Sequence, residues 1–343
     1  MFLRGINYDI GTHLSHGGLS RLEFNPAQIK KELEIIKNEL HCDAIRISGY
    51  DVQRLFAASK YALELGMQVW FSPIFNNATQ EEVKSYIIDY AKAAEDLKQI
   101  NDNVIFVSGC EYSIFLKGFL KGDTFNARLR RMFSPFGIIT NILGLRYNTY
   151  KKLNSFLYII ASEIRKHFSG KLTYASGTWE KINWELFDVI GIDHYRASYN
   201  KHNYAKQIQD YYKYGKTVAI LEFGCCTYKG ADEKGGGGWM IMEIVDGKRA
   251  VKPGYIRDES VQAKCIIDIL DILTKQKILG AFVFTFITPT SYFNENPRYD
   301  FDMASYGIVR TISKESNETY KGLPWIPKEA FYRLSKYYQD LHS

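Results

Sequence analysis

The sequence alternates short apolar runs with longer amphipathic stretches, and this alternation repeats eight times. The apolar runs are predicted strands, over residues 3–8, 43–48, 67–72, 103–108, 171–175, 188–193, 217–221 and 281–286. Helical periodicity covers residues 26–40, 51–65, 79–100, 149–168, 184–187, 203–214, 258–276 and 327–341. Strands that alternate with helices form parallel sheets, and eight such units close into a barrel. The sequence therefore predicts an α/β protein with an eight-stranded (β/α)8 barrel, the TIM barrel.

A doubly wound sheet is the competing α/β architecture. It usually has about five or six strands, and its dinucleotide-binding forms carry a glycine-rich turn after the first strand. Here Gly5 is followed by Ile6, Asn7 and Tyr8, which do not form such a turn. The barrel is favoured, and a single domain over residues 1–343 is expected because barrels often exceed the size of an ordinary domain.

Composition bears on cofactors and location. The five cysteines have no regular spacing and include no CxxC pair, which argues against a disulfide framework and a zinc site. The amino-terminal segment becomes polar too quickly for a signal peptide, and no apolar run approaches the roughly 18 residues that span a bilayer. A cytoplasmic protein without a cofactor is expected.

The loops after the fourth, seventh and eighth predicted strands are unusually long, and such loops are usually functional or disordered. The loop at about residues 225–257 contains four consecutive glycines followed by Trp239. We interpret it as a flexible hinge that carries an aromatic lid over a cleft, and a disordered surface excursion is the alternative. No GKS or GKT follows the glycines, so they are not a phosphate-binding loop.

Residues 113–152, after the fourth predicted strand, carry eight lysines or arginines but one acidic residue, Asp123. Phenylalanines and aliphatic residues are mixed with these cations. A helical insertion packed on the barrel rim is the simplest interpretation. Contact with an anionic membrane surface is the second, because interfacial helices combine apolar and cationic residues. Nucleic acid is disfavoured as a partner because the basic residues form no groove-reading motif.

Two glutamates directly follow predicted buried strands. Glu111 comes directly after the apolar run at residues 104–110, and Glu222 comes directly after the apolar run at residues 217–221. The carboxyl ends of parallel strands face the crevice where ligands bind. Two carboxylates on one rim are the minimum for glycoside hydrolysis, since one protonates the leaving oxygen and the other attacks or activates water. In the non-catalytic alternative, Glu111 forms a salt bridge with Arg46 and Glu222 is an ordinary rim acid.

Further polar and aromatic residues lie at strand ends. Arg46 lies inside the second predicted strand, where an unpaired cation is costly, so a carboxylate of the site is its expected partner. A tyrosine or arginine beside a carboxylate favours its ionised form, which a nucleophile needs, whereas burial raises the pKa of a carboxyl group, which an acid needs. The other candidates are Trp179, Glu180, Asp193, His194, Tyr195, Phe284 and Phe286.

The order of these motifs resembles the large clan of retaining glycoside hydrolases that share a (β/α)8 barrel. The similar segments are residues 4–8, 44–47, 188–195 and 221–224, together with Glu111. The resemblance implies that Glu111 is the general acid/base after strand 4 and Glu222 the nucleophile after strand 7. It also implies that Tyr195 donates a hydrogen bond to Glu222, that Arg46 supports the site and that Trp179 stacks on a sugar.

Substrate recognition is where the chain departs from this clan. The clan usually has asparagine directly before the acid/base, bonded to the sugar hydroxyl next to the reacting carbon, whereas this chain has Cys110, a poor donor. Strand 8 of the clan usually ends in a tryptophan whose ring forms the floor of the sugar-binding subsite. In this chain Phe284 or Phe286 takes the place of that tryptophan. The expected substrate-binding residues are Asn7, Tyr8, Arg46, Cys110, Trp179, Asp193, His194, Trp239 and Phe286.

The sequence thus predicts a retaining glycosidase that acts on a carbohydrate or glycoconjugate. A catalytically silent barrel that binds a saccharide in the same cleft is the alternative, and Cys110 favours it. A metal-dependent barrel hydrolase, using His13, His16 and His194, is the third possibility. Such barrels place two histidines one residue apart within the first strand, whereas His13 and His16 lie beyond it, so no metal is expected.

Overall fold

The computed structural model describes residues 2–14, 18–143, 146–313 and 320–341. Its strands are β1 (Leu3–Asp9), β2 (Ala44–Gly49), β3 (Gln68–Pro73), β4 (Val104–Cys110), β5 (Lys171–Gly177), β6 (Val189–Asp193), β7 (Thr217–Phe223), β8 (Met242–Val245), β9 (Lys248–Val251), β10 (Gly280–Val283), β11 (Val309–Thr311) and β12 (Trp325–Pro327). Its α-helices are α1 (Pro26–Asn38), α2 (Val52–Glu64), α3 (Gln80–Ile100), α4 (Tyr112–Phe115), α5 (Phe125–Phe133), α6 (Pro135–Ile142), α7 (Tyr147–Arg165), α8 (Tyr204–Gln209), α9 (Glu259–Leu273) and α10 (Glu329–Asp340). Short 3-10 helices cover Trp184–Leu186, Tyr212–Tyr214, Ala231–Glu233, Gly235–Ile241 and Phe301–Ala304.

Strands β1 to β7 and β10 form a closed barrel in the order β1, β10, β7, β6, β5, β4, β3, β2. Its pairings are all parallel, and β1 closes the ring against β10 with Leu3 opposite Gly280. Two small antiparallel sheets, β8 with β9 and β11 with β12, lie outside the barrel. This architecture confirms the predicted α/β class and the TIM barrel.

The helices begin where the sequence places capping residues. Asn25 accepts hydrogen bonds from the first turn of α1, and Asp258 does the same for α9. Thr79 and Glu82 form a reciprocal capping box at the start of α3. These local signals explain why the predicted helix starts agree with the observed ones to within two residues at these three positions.

The alternation of side chains along each strand decides which residues reach the barrel interior. One buried cluster draws on seven strands and includes Ala44, Trp70, Leu221 and Phe282, with the rings of Trp70 and Phe282 4.9 Å apart. A larger cluster fills the space between the strands and the helices. Because Ala44 faces the interior, Arg46 two residues later lies on the same face, nearer the carboxyl end of β2.

Strand β10 is shorter than the predicted strand at residues 281–286. The peptide bond between Phe284 and Thr285 is cis, and the hydroxyl of Thr285 donates a hydrogen bond to the carbonyl of Asn7 at 2.8 Å. The predicted helix at residues 203–214 is also divided: α8 ends early, and the 3-10 turn that follows ends at Gly215 with φ of +66°.

Helices α4, α5 and α6 lie between β4 and α7, in the basic and apolar segment after the fourth strand. None of the helices in the described ranges is both long enough and apolar enough to cross a bilayer.

Candidate active site

The backbone turns sharply where β4 ends. Glu111 lies in the left-handed region with φ of +42°, where residues with a side chain are rarely found. Its N–H donates to the carbonyl of Ala175 at 2.9 Å, and the Tyr112 hydroxyl reaches back to the carbonyl of Ser108 at 2.6 Å. Gly109 is required for this turn, because a Cβ there would lie 2.0 Å from the Tyr112 ring. The fold thus fixes Glu111 at the rim.

The carboxyl group of Glu111 is half-buried and lacks donors. Within the described residues it accepts no hydrogen bond and joins no ion pair. Burial raises the pKa of Glu111 well above its usual range, and the nearby acids Asp193 and Glu222 raise it further, whereas Arg46 opposes them. Such a group keeps its proton to a higher pH than an exposed glutamate does, as a general acid must.

The carboxylate of Glu222, by contrast, is surrounded by donors. Arg46 Nη1 donates to Oε1 at 2.9 Å, and the Tyr195 hydroxyl donates to Oε2 at 3.0 Å. The side chain of Glu222 is 13% exposed, so one side of it remains open to a ligand. Both of its oxygens therefore accept hydrogen bonds, one of them from a cation.

Arg46 is buried and links two acids. Its Nε donates to the Ser72 hydroxyl at 3.2 Å, and its Nη1 lies 3.6 Å from Asp193 Oδ1 as well as against Glu222. The cation inside β2 therefore has carboxylate partners. The non-catalytic alternative paired Arg46 with Glu111, and the structure pairs it with Glu222 and Asp193 instead.

Cys110 lies next to the same two acids. Its Sγ is 3.5 Å from Asp193 Oδ2 and 3.7 Å from Glu222 Oε1. Burial raises the pKa of the Cys110 thiol, and Asp193 and Glu222 raise it further. Burial likewise raises the pKa of Asp193, followed by the effect of Glu222. Cys110 is therefore a neutral thiol that can donate a weak hydrogen bond to either carboxylate.

One ligand atom from each of Cys110, Asp193 and Glu222 lies within 4.8 Å of the others, and this is the only such metal-ligating group among the residues described. Arg46 places a positive charge against the carboxylates of Asp193 and Glu222. In addition, the Cys110 thiol would have to lose its proton before it could bind a metal. These residues do not fit a metal ion, because the guanidinium already supplies the positive charge between the acids.

Two of the histidines of the metal hypothesis, His13 and His194, do not join this group. His13 packs against the ring of Tyr50, with centroids 4.1 Å apart. His194 stacks on Tyr204 with centroids 4.2 Å apart, and burial lowers its pKa to about 4. His16 lies outside the described residues.

A further glutamate, Glu180, is buried beside the start of α4. Its Oε1 accepts the backbone N–H of Ser113 at 3.0 Å, and its Oε2 accepts the hydroxyls of Tyr174 at 3.0 Å and Ser176 at 3.3 Å. These bonds join β5 to the start of α4, directly after the predicted acid. Burial raises the pKa of Glu180, although its hydrogen bonds oppose that effect. The sequence placed Glu180 at a strand end but did not predict this network.

Aromatic side chains connect the segment after β4 to other loops. Trp179 Nε1 donates to the Ser113 hydroxyl at 3.1 Å, and its ring meets the ring of Phe133 edge-on with centroids 5.3 Å apart. The ring of Phe125 in α5 lies 6.4 Å from that of Trp239, in the loop after β7. Both predicted aromatic residues thus contact the helices that follow β4.

The glycine run at residues 235–238 belongs to a 3-10 helix and not to a free hinge, which differs from the expectation. The Tyr306 hydroxyl donates to the carbonyl of Gly235 at 2.6 Å and accepts the N–H of Gly238 at 3.0 Å, while Tyr228 donates to the Gly238 carbonyl at 2.8 Å. The ring of Tyr306 also packs on Tyr195, with centroids 5.5 Å apart. Sequence reasoning missed Tyr306, which lies beyond β10 and carries no local signal.

Two predicted substrate-binding residues of β1 have other partners. Asn7 Nδ2 donates to the carbonyl of Leu221 at 2.8 Å and so joins β1 to β7 inside the barrel. Tyr8 is fully buried, and its hydroxyl donates to Glu32 of α1. Because neighbouring residues of a strand point to opposite faces, Asn7 and Tyr8 cannot both face the barrel interior.

Two more predicted contacts are packing residues. Phe286 is fully buried between the rings of Tyr8 and Trp325, with centroids 6.0 Å and 5.3 Å away. Phe284 is half-buried, and its ring centroid lies 6.5 Å from that of Tyr195, which bonds Glu222. The structure therefore gathers Glu111, Glu222, Tyr195, Arg46, Cys110 and Asp193, and leaves Tyr8, His194 and Phe286 in the surrounding core.

No protein-family model matches the sequence, and no curated protein matches it significantly. Among solved structures, a GH113 β-1,4-mannanase has a TM-score of 0.60 and 16% identity, over 98% of this chain and 99% of the mannanase chain. A GH113 β-mannanase from Alicyclobacillus acidocaldarius has a TM-score of 0.63 and 11% identity, over 99% and 98%.

The family 1 β-glucosidase from Thermotoga maritima has a TM-score of 0.54 and 12% identity, over 99% of this chain and 97% of the glucosidase chain. At such low identity these likenesses establish the fold alone. The chain therefore shares the (β/α)8 barrel of glycoside hydrolases, as the order of its sequence motifs predicted.

Proposed function

We propose that this protein is a retaining glycosidase in which Glu222 is the nucleophile and Glu111 the general acid/base. The observation that carries the proposal is the unequal surroundings of the two glutamates. Glu222 accepts hydrogen bonds from Arg46 and Tyr195, whereas Glu111 is half-buried, lacks donors and has a raised pKa. Two carboxyl groups whose environments differ in this sense suit the two roles that glycoside hydrolysis requires.

In the first step, a carboxylate oxygen of Glu222 attacks the anomeric carbon of the sugar. The bond from that carbon to the leaving oxygen breaks, and Glu111 transfers its proton to this oxygen. The product is a glycosyl ester on Glu222. In the second step, Glu111 takes a proton from water, the water oxygen attacks the anomeric carbon, and the ester bond breaks. Glu222 is again a carboxylate, Glu111 again holds a proton, and the configuration of the sugar is retained.

Arg46 and Tyr195 contribute by positioning. They hold Glu222 from two sides, so that its orientation towards the sugar is fixed before the reaction. Each oxygen of the carboxylate accepts one of these hydrogen bonds and keeps a further lone pair for attack on the anomeric carbon. No metal or cofactor takes part in this scheme.

The proposed substrate class is supported by the similar structures and by the residues beside Glu222. The mannanases and the glucosidase act on β-linked hexoses by their names, and we propose a β-glycoside as the substrate here. Beside Glu222, the side chain of Asp193 is fully buried, so the thiol of Cys110 is the neighbouring group left for a sugar hydroxyl. Because a thiol is a weak donor, recognition of that hydroxyl would rest on Glu222 itself more than on Cys110.

A catalytically silent saccharide-binding barrel is the second candidate, and Cys110 favours it. The position directly before Glu111 offers no amide to the substrate, so a sugar could bind without being well placed for attack. The two candidates differ in one measurable property, which is the formation of the glycosyl ester.

The test uses 2-deoxy-2-fluoro-β-glycosides with a dinitrophenyl leaving group, in the gluco, manno and glucurono series. Mass spectrometry of the intact protein and of its peptides should show one added fluoroglycosyl group, carried by Glu222. The Glu222→Gln variant should bind the parent saccharide but remain unlabelled, and Glu81→Gln, at an exposed glutamate of α3, should label normally. Saccharide binding without labelling in all three series would favour the silent barrel, and labelling of another carboxyl group would overturn the assignment.

A further inference from the structure

The segment around α6 exposes apolar side chains. Phe136 is 73% exposed, Ile138 47% and Ile139 54%, and on either side Phe133 is 43% and Leu143 64% exposed. A soluble protein rarely presents several large apolar residues together without a partner for them. The exposure is therefore an observation that the proposed hydrolysis does not explain.

Exposed cations flank these apolar residues in the sequence. The segment 113–152 has one acidic residue, Asp123, which is also exposed. No cation in the exposed set forms an ion pair among the described residues. The exposed cations of the segment are Lys117, Lys121, Arg130, Arg131, Lys151 and Lys152. Their positive charge is thus free to act on a partner outside the molecule.

The two remaining arginines of the segment form its framework. Arg128 is fully buried and donates to the carbonyls of Ile114 at 2.5 Å and Gly122 at 2.9 Å. Arg146 is buried and donates to the carbonyl of Gly137 at 2.9 Å. These hydrogen bonds fix α5 and α6 to the neighbouring backbone. The exposed apolar side chains of the segment therefore belong to an ordered part of the structure.

We propose that this segment docks the protein on an anionic lipid bilayer. The docking patch consists of Phe133, Phe136, Ile138, Ile139 and Leu143 together with Arg130 and Arg131. Its apolar residues enter the interface between headgroups and acyl chains, and its arginines pair with anionic headgroups, as in interfacial helices. A second copy of the chain is a poor occupant, because a symmetric contact would bring the four arginines of two patches together.

The docking patch adjoins the candidate active site. Phe133 of the patch contacts Trp179, and Trp179 donates to Ser113, two residues after Glu111. A bilayer bound to the patch would therefore lie beside the wall of the cleft. This part of the inference rests on the proposed function: the substrate would be the saccharide portion of a membrane-borne glycoconjugate.

The docking itself is tested by flotation of the full-length protein with vesicles of phosphatidylcholine alone and of an equimolar mixture with phosphatidylglycerol. We expect binding to the anionic vesicles that weakens as salt rises, because charges are screened over about 8 Å at physiological ionic strength. Arg130→Ser with Arg131→Ser should weaken this binding about 25-fold, since each surface cation contributes about a factor of five. Phe136→Ser with Ile139→Ser should weaken it at all salt concentrations.

A matched control changes one exposed aromatic and one exposed cation elsewhere. Tyr332→Ser with Lys336→Ser on α10 should bind vesicles as the unaltered protein does. The Glu222→Gln variant should also bind normally, and the patch variants should cleave soluble aryl glycosides normally. Docking and catalysis can therefore fail independently in these experiments.

Several results would overturn the docking proposal. These are equal binding to neutral and anionic vesicles, no vesicle binding, or loss of binding in the α10 control. A self-association of the unaltered protein that disappears in Phe136→Ser with Ile139→Ser would assign the patch to a second copy instead. Circular dichroism and thermal unfolding of each variant would show that the fold is retained, as expected for exposed positions.

Discussion

Replacement of Arg46 by methionine tests whether the candidate site is held together by one buried cation. The guanidinium of Arg46 is 1% exposed and contacts carboxylates that are 13% exposed at Glu222 and fully buried at Asp193. Methionine keeps an unbranched side chain of similar length but has no charge. The substitution therefore leaves two acids facing each other with no positive charge between them.

The size of the effect follows from the distances. Arg46 Nη1 lies 2.9 Å from Glu222 Oε1 and 3.6 Å from Asp193 Oδ1. At an effective dielectric constant of about 20, unit charges at such distances attract each other by about 5 kcal/mol. Part of that energy offsets the cost of burying the arginine, so the net loss should be that of breaking a buried pair, about 3–5 kcal/mol.

The loss should depend on pH. Burial already raises the pKa of Asp193, and Arg46 lowers it, so removing Arg46 raises it further. A carboxyl group with a raised pKa in the folded state destabilises the fold where it must ionise, and this cost disappears as the pH falls through the folded pKa. The variant should therefore be most destabilised at mildly alkaline pH and approach the unaltered protein in mild acid.

Urea unfolding of both proteins, at mildly acidic and mildly alkaline pH, measures this difference. Arg333→Met is the control, because Arg333 is 52% exposed and its pair with Glu329 on one helix contributes about 0.5 kcal/mol or less. A loss below about 1 kcal/mol in Arg46→Met, or the same loss at both pH values, would show that Arg46 does not hold these acids.

The remaining predictions concern the acid/base and its surroundings. Glu111→Ala should slow the hydrolysis of glycosides with poor leaving groups by about 10²–10⁴ and hardly affect dinitrophenyl glycosides, because only poor leaving groups need the proton. Since the pKa of Glu111 is raised, the rate of the unaltered protein should persist to high pH and fall only where Glu111 loses its proton. The pH–rate profile of Glu111→Ala should lack this alkaline fall. Glu180→Gln should move the alkaline fall of activity to lower pH, because the Glu180 charge raises the pKa of Glu111. If a folded Glu180→Gln variant loses activity at the same pH as the unaltered protein, Glu180 does not act on the pKa of Glu111. Tyr195→Phe should lower kcat about 10- to 100-fold, the equivalent of one hydrogen bond to a charged group, and a smaller effect in a pre-steady-state assay would remove Tyr195 from the positioning of Glu222.

The barrel could be predicted because each of its units carries a local signal. Buried parallel strands are continuous apolar runs, and residues such as Asn25 and Asp258 mark helix starts within the sequence itself. The rim position of Glu111 and Glu222 follows from the same pattern, because a polar residue that ends a buried strand can only lie where the strand emerges. These inferences need no knowledge of distant contacts.

The rest of the site depends on contacts between distant residues. The hydrogen bonds of Glu180 join β5 to α4, and Tyr306 reaches Gly235 across about seventy residues of sequence. Nothing in the composition of the segment after β4 separates the buried Arg128 from the exposed Arg130. One missed inference was within reach, however. The period of two along a strand allows only one of Asn7 and Tyr8 to face the barrel interior, and both were expected to bind substrate.

The way in which the ring closes has a consequence for how the chain folds during synthesis. Strand β1 pairs with β10, so that Leu3 lies opposite Gly280, and the hydroxyl of Tyr338 in α10 donates to the carbonyl of Gly5 at 3.0 Å. Strand β1 is therefore synthesised long before β10 and α10, and one of its edges stays unpaired until β10 has been made. Contacts between residues so distant in sequence form slowly, and an open strand edge can meanwhile pair with another nascent chain. We expect the yield of folded protein to depend on temperature and on chaperones that shield this edge until α10 has been made.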